Sequence, residues 1–326
     1  MVKHEKILMV LIVISILVLA SFALGCTSTT TKYTMATGGL GGTYYPIGVG
    51  ISQAANNDSK TFSISVEATE ASIANCNLLE KKGVDFALIQ NDVAYAALNS
   101  QRNFTGKPAL TMIKGVACLY PETIQLFTLN ESGIKNVTDL KGKRVIMGDK
   151  GSGSWFNAVE ILKAYGLNES DVTNPGAVAV ATACEMMKNG QVDAAFWTGG
   201  APTSAITELD VTHDVYLVPI TGTERDALIA SSPFYAKQTL AAGTYSGITW
   251  PTETVSIMAM LVAHQDVPTQ DVYDLLKAMY DGSHPINNYT NAVAKKIVKT
   301  NAMNGMSIPL HPGAKKYFDE QGIKTP

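Results

Sequence analysis

Two Gly/Ser-rich turns hold the residues of this chain best placed to do chemistry. Gly38-Gly39-Leu40-Gly41-Gly42-Thr43-Tyr44-Tyr45 follows a strand-like run, Tyr33–Thr37, and opens a helical stretch with Pro46 in its first turn. Gly148-Asp149-Lys150-Gly151-Ser152-Gly153-Ser154 lies between the apolar run Arg144–Met147 and a helix expected to start near Trp155. A strand-turn-helix of this kind aims unpaired backbone N–H groups, and the positive end of a helix, at whatever lies above the strand ends. Two such turns predict two lobes, each offering an anion-friendly edge to a shared cleft. Ordinary strand-to-helix turns that need glycine for positive φ give the same pattern.

Enzyme signatures are missing at the positions that would carry them. Gly151-Ser152-Gly153-Ser154 is not the Gly-x-Ser-x-Gly of a nucleophile elbow. No Lys-Ser/Thr follows either glycine run, so there is no phosphate-binding P-loop. Gly39-Leu40-Gly41 places Tyr44 where a dinucleotide fingerprint needs its third glycine. His213, His264, His284 and His311 show no metal-ligand spacing, and the His-Pro pairs at 284 and 311 read as turns. Neither a cofactor nor a metal is expected, and the chain reads as a binder rather than an enzyme. An exported hydrolase using Ser152 or Ser154 is the alternative from another class.

The remaining polar clusters suit binding. Gln90-Asn91-Asp92 sits at the C-terminal end of a strand, where ligands of open α/β sheets bind. Asn-Asp is equally a standard helix start. Tyr120-Pro121-Glu122 interrupts a long apolar, β-rich stretch, and Thr198-Gly199-Gly200-Ala201-Pro202-Thr203 follows the strand-like Ala194–Trp197.

Composition sets limits around these motifs. The 326 residues are 46% hydrophobic and only 16% charged, enough apolar material for two domains. The formal net charge is −3 and Arg102, Arg144 and Arg225 are the only arginines, which argues against a nucleic-acid partner. Lys3 and Lys6 precede an apolar run, Ile7–Leu24, followed by Gly25-Cys26 and the polar Thr27–Thr31. That order resembles a lipoprotein export signal, with cleavage before Cys26 leaving a lipid-modified cysteine. The same run also reaches the lower limit for a membrane-spanning anchor. Either way the body is expected outside the cell membrane, attached through an N-terminal lipid or helix. Cys76, Cys118 and Cys184 lack any paired spacing and are expected as small buried apolar residues.

Beyond Thr31, strands and helices alternate, the pattern of α/β architecture. Strands are expected at Tyr33–Thr37, Phe62–Ala68, Val84–Gln90, Arg144–Met147, Ala177–Val180, Ala194–Trp197 and Val215–Ile220. Helices are expected at Tyr45–Asn56, Ser72–Lys82, Val93–Leu98, Trp155–Tyr165, Cys184–Asn189, Asp271–Tyr280 and Thr290–Thr300, with a last turn around Tyr317. Val116–Tyr120 with Thr123–Leu129 reads as one crossing between lobes, and Thr254–Ala263 as the return. Residues 1–26 are then a leader and 27–31 a tether; 32–121 plus 254–326 form one lobe, with 122–253 inserted as the other.

With these residues in view, the sequence resembles the TAXI-type solute-binding proteins of TRAP transporters. The matching stretches include Thr37-Gly38-Gly39, Gly41 through Pro46, Asp85 through Val93, Leu119 through Glu122, Asp139 through Val145, Gly151 through Ser154, Pro233-Phe234-Tyr235, Gly243-Thr244-Tyr245 and Pro309 through Ala314. The resemblance implies an α/β, two-lobed type II periplasmic-binding-protein-like fold with a hinge and a central ligand cleft. It also implies a TRAP-type integral membrane permease as partner, with a same-fold receptor for a different uptake system or a sensor kinase as the nearer alternative. Glutamate, 2-oxoglutarate or a related small carboxylate is the implied ligand. Carried over, the cleft residues are Gly42, Thr43, Tyr44, Gln90, Asn91, Glu122, Ser152, Gly153 and Ser154, with Gly200 and Thr203 on the far side. Thr203 stands where the family commonly has Asn, a hydroxyl in place of an amide. No arginine falls in a cleft motif, so backbone N–H groups and the hydroxyls of Thr43, Ser152 and Ser154 are left to hold a carboxylate. Glu122, or Asp92, would then meet an α-ammonium, and Tyr44 or Tyr45 would supply an apolar wall.

Overall fold

The computed structural model describes residues 30–289 and 291–326. The leader expected over 1–26, with Cys26, lies outside the described residues, as does most of the tether. Among the described residues no helix is long and apolar enough to cross a membrane. Residues 32–326 form one compact unit.

Nine strands make up that unit's sheet: β1 (Thr31–Ala36), β2 (Phe62–Glu67), β3 (Phe86–Gln90), β4 (Ile113–Leu129), β5 (Val145–Ile146), β6 (Ala194–Gly199), β7 (Val215–Val218), β8 (Ala236–Leu240) and β9 (Thr252–His264). The helices between and after them are α1 (Tyr44–Asp58), α2 (Ser72–Glu80), α3 (Asn91–Leu98), α4 (Gly153–Ala164), α5 (Val180–Lys188), α6 (Ser204–Thr212), α7 (Gly222–Ser231), α8 (Thr269–Asp281) and α9 (Pro312–Glu320). Strand order is β2-β1-β3-β9-β4-β6-β5, with β7 added to β4 and β8 to β9.

Two strands run through both halves of this sheet. One end of β9 pairs with β3, Gln90 opposite Ala259, and with the start of β4, Ile113 opposite His264. The other end pairs with β8, Ser256 opposite Ala236. β4 likewise ends against β6 and β7, with Thr123 opposite Gly199 and Leu126 opposite Val218. The β4–β9 register shifts between Cys118 and Pro121, where Pro121 supplies no N–H to the ladder.

Period-two alternation sends each strand's apolar residues to two faces. In β3, Phe86 and Leu88 enter a core with α1, α8 and α9, whereas Ala87 and Ile89 enter one with α2 and α3. β6 divides the same way, with Ala194 and Phe196 on the α4 side and Ala195 on the α5–α6 side. Strands covered on both faces read in sequence as unbroken apolar runs, which is why β3 and β6 are legible. Cys76, Cys118 and Cys184 are free and buried in these cores, as expected.

Two expected elements are corrected. Ala177–Val180 is not a strand: 177–179 are irregular and Val180 is the first residue of α5, so the helix expected at Cys184–Asn189 starts a turn earlier. Four small or β-branched residues fit a buried strand or a helix start equally well. Thr290–Thr300 is not a continuous helix, since Ala294–Lys296 and Lys299–Asn301 are separate 3₁₀ turns. The buried Val293, Ala294, Ile297 and Ala302 pin this segment to the α1–α8–α9 core through packing rather than helical hydrogen bonds. His311, read as a turn residue, caps α9, its Nδ1 accepting from Gly313 N–H at 3.2 Å.

α3 and α4 approach each other through a buried polar cluster. Asn157 Nδ2 donates to Asp92 Oδ2 and Tyr235 Oη, both at 2.9 Å, and Tyr235 donates to Glu160 at 2.7 Å. Arg102 pairs with Glu160 at 3.1 Å, lies 4.0 Å from Asp92, and covers the Phe156 ring at 4.5 Å. It is the only cation in the cluster, and Asp92 is fully buried. Arg102→Leu is therefore expected to cost about 3 kcal/mol, because Asp92 loses its compensating charge in a dry site. Urea unfolding checks this as a lower midpoint at unchanged slope.

Candidate ligand cavity

The two Gly-rich turns and Gln90 meet beside one cavity. Its atom-free space, counting what lies open to solvent at the mouth, is about 500 Å³. The starts of four helices border it: Gly42-Thr43-Tyr44 at α1, Ala71-Ser72 at α2, Ser152-Gly153-Ser154 at α4 and Ala179-Val180 at α5. Gln90, at the cap position of α3, adds a side chain from below. First-turn N–H groups have no partner within their helix, so each of these helix starts brings N–H donors and a partial positive charge to the cavity edge.

Close approach of the two sides is built from glycine. A side chain at Gly153 would overlap the Gln90 carboxamide, one at Gly41 would meet Ala181 at 2.9 Å, and one at Gly42 the Trp197 ring at 3.0 Å. Hydrogen bonds join the same edges: Gly151 C=O accepts from Ile73 N–H at 2.9 Å, and Gly200 C=O from Thr43 Oγ1 at 3.3 Å. Gly148 turns the second loop at φ +100°, where any side chain would strike Ser154.

The polar side chains divide into those that face the cavity and those that hold it. Tyr44 Oη donates to Glu122 Oε2 at 2.7 Å, and both residues are buried and line the cavity. Tyr44, not Tyr45, forms the wall. Burial pushes the Glu122 carboxyl up to about 8, against the lowering effect of the Tyr44 hydrogen bond. Gln90 Oε1 and Thr198 Oγ1 are buried without a partner. Ser152 Oγ is occupied within its own turn, donating to Asp149 C=O at 2.7 Å and accepting from Trp155 N–H at 3.2 Å. Ser154 Oγ accepts from Thr198 N–H at 2.9 Å. Ser152 thus fixes the turn and Ser154 ties the start of α4 to β6, while Gly153 and Ser154 stand in the first turn of α4, where N–H groups have no partner within the helix. No histidine is among the described lining residues.

Three residues expected at the cleft lie elsewhere. Asn91 points away, its Oδ1 accepting from Met258 N–H and its Nδ2 donating to Gly305 C=O, both at 3.1 Å, and so ties the C-terminal segment to β9. Gly200 touches Thr43 and Val293 rather than the cavity. Thr203 is buried behind it, accepting from Trp197 Nε1 at 3.1 Å and Gln125 Nε2 at 3.3 Å. It orients the Trp197 indole, which does line the cavity. Asp92 belongs to the α3–α4 cluster. Sequence reasoning passed over Glu70, Asp149, Trp197 and Thr198, all at the cavity, though Asp149 and Thr198 lay inside motifs it had marked.

A carboxyl with a raised folded-state pKa holds a proton that the unfolded chain has lost, so stability falls with rising pH between the two values. For Glu122 that window runs from about 4.5 to about 8. Glu122→Gln is expected to flatten the decline, which amounts to a few kcal/mol, when urea midpoints are compared at pH 5 and pH 8. Gly153→Ala is expected to keep the fold but displace the Gln90 amide into the cavity. Its circular dichroism should match the parent while its affinity for bound solute drops at least about tenfold, the equivalent of one displaced hydrogen-bonding group.

The fold has known counterparts. The periplasmic binding protein BugD is 14% identical, with 91% of this chain and 99% of that one covered at a TM-score of 0.56. PhnD1 from Prochlorococcus marinus, solved with methylphosphonate, is 9% identical over the same shares with a TM-score of 0.52. A binding protein component of an ABC phosphonate transporter from Pseudomonas aeruginosa is 11% identical, covering 86% and 81%, with a TM-score of 0.51. The architecture is thus the two-lobed fold of periplasmic binding proteins, as expected. The sequence model of the NMT1-like family matches residues 35–322. On that match over nearly the whole described body, the chain belongs to the NMT1-like family.

Proposed function

We propose that this chain is an extracytoplasmic solute-binding receptor that closes two lobes around a small carboxylate and delivers it to a membrane permease. The observation that carries this reading is the cavity itself: helix starts from both halves of the sheet converge on one enclosed space holding buried, unpartnered polar atoms. The lobes are 32–121 plus 254–326 and 122–253, hinged where β4 and β9 change neighbours. In that reading the ligand touches both sides, so binding favours the closed form by its differential contacts. Backbone N–H groups at α1 and α4 hold the carboxylate. Gly42, Thr43, Tyr44, Gln90, Glu122, Ser152, Gly153 and Ser154 form the site. The solute is bound and released unchanged.

The motif resemblance supports a TRAP-type permease as partner, with glutamate and 2-oxoglutarate the first carboxylates it suggests. A receptor for an ABC-type uptake system is the second reading, favoured by the fold likeness to a component of an ABC phosphonate transporter. Anchoring to the outer face of the membrane, through Cys26 or the apolar run before it, is part of the same proposal.

Thermal-shift measurements on protein unfolded and refolded to strip carried-over solute test the ligand class. At a hundred times its dissociation constant a true ligand adds about 2.7 kcal/mol, a rise of several degrees. At least one small carboxylate is expected to produce that rise, and phosphonates none. The opposite pattern would favour the second reading.

A further inference from the structure

Three carboxyl groups line the cavity, those of Glu70, Asp149 and Glu122, and no Lys, Arg or His does among the described residues. A pocket for a small anion needs nothing beyond its converging helix starts, and each ionised acid opposes such a ligand. Two of these acids come from opposite sides. Glu70 precedes α2 and Asp149 lies in the turn before α4. The Glu70 carboxylate reaches across, so that a side chain on Gly151 would meet its Oε2 at 2.5 Å. Partial burial, then the charge of Glu70, raises the Asp149 carboxyl above its ordinary range. Bringing the two sides together thus brings like charges together, and something must offset them.

An independent feature points the same way. Gln90 Oε1, in a side chain only 2% exposed, is an acceptor that lines this cavity with no donor to meet it. An ionised carboxylate also only accepts. The site therefore lacks donors carrying positive charge, while its helix starts supply N–H groups for negative charge.

We propose that the cargo is an amine-bearing carboxylate of net charge zero or above, an amino acid with a neutral or basic side chain, whose ammonium group bridges Glu70 and Asp149 at the mouth. Its carboxylate faces the helix starts, and solutes of net negative charge are rejected by the acid pair. This rests on the receptor reading above, keeps its small carboxylate, and sets aside the glutamate and 2-oxoglutarate that the motif resemblance suggests.

The test is isothermal titration of stripped full-length protein with L-lysine, L-alanine, L-glutamate and 2-oxoglutarate, repeated on the double variant Glu70→Gln, Asp149→Asn. L-Lysine or L-alanine is expected to bind at least about tenfold tighter than L-glutamate, and 2-oxoglutarate weakest. The double variant should shrink that preference by about tenfold or more while circular dichroism stays unchanged. Tighter binding of L-glutamate or 2-oxoglutarate overturns the proposal, as does a preference unaltered in the folded double variant. Mass spectrometry of solute released on denaturing the freshly purified protein separates the two levels of failure. A released solute of net negative charge overturns this proposal and leaves the receptor standing. Release of none, with no binding in either set, overturns both.

Discussion

The pairing of β4 with β9 is the constraint on which the rest of the structure depends. These strands, 17 and 13 residues long, are the elements whose hydrogen bonds reach into both halves of the sheet. Each half has helices on both faces and its own buried clusters, so each satisfies most of its packing locally. A two-strand ladder, with register shifts between Gly115 and Ala117 and between Cys118 and Pro121, joins them beneath the bonds that cross the cavity. Glu122 is the next residue after this irregular stretch, which sets a buried carboxyl at the floor of the cavity.

The cavity follows from where the helices begin. βα connections on both sides of the crossing end at the same level of the sheet, so helix starts from both halves converge on one space. Backbone dipoles therefore contribute to the field there, as side chains do. Serines that would be nucleophiles or ligands in another setting are spent on the turn and on tying α4 to β6. Glycines at 41, 42 and 153 let the opposing backbones approach within side-chain contact distance. Against the partial positive charges of the helix starts stand Glu70, Asp149 and Glu122, and the balance between dipoles and acids, rather than any single residue, decides which charge pattern the space accepts. Behind it, the Arg102–Glu160–Tyr235–Asn157–Asp92 cluster couples α3 to α4 one helical turn from the cavity wall.

Legibility of the fold in the sequence depended on burial on two faces and on glycine. β3, β6 and β9 are unbroken apolar runs because helices cover both sides, and they stood out for that reason. Turns at Gly38–Gly42 and Gly148–Gly153 stood out because close backbone approach tolerates little else. Residues 177–180 and 290–300 were misjudged for a common physical reason: short runs of small and β-branched residues are compatible with several backbone conformations, and packing of a few buried side chains against distant elements chose among them. Asn91 and Thr203 carried the right chemistry for a ligand but were used by Met258, Gly305 and Gln125, far away in the chain, and by the nearby Trp197.

From the residues alone came the α/β alternation, the two glycine turns and the crossing segments. These are local properties, set by side-chain volume, φ freedom and apolar periodicity within a few residues of each position. Tertiary structure decided which polar groups face the cavity and which are consumed in holding it. Glu70 and Asp149 are neighbours only because α2 and α4 begin at the same edge. Charge balance in a closed space depends on distances between segments that are remote in sequence. Spacing along the chain does not encode those distances.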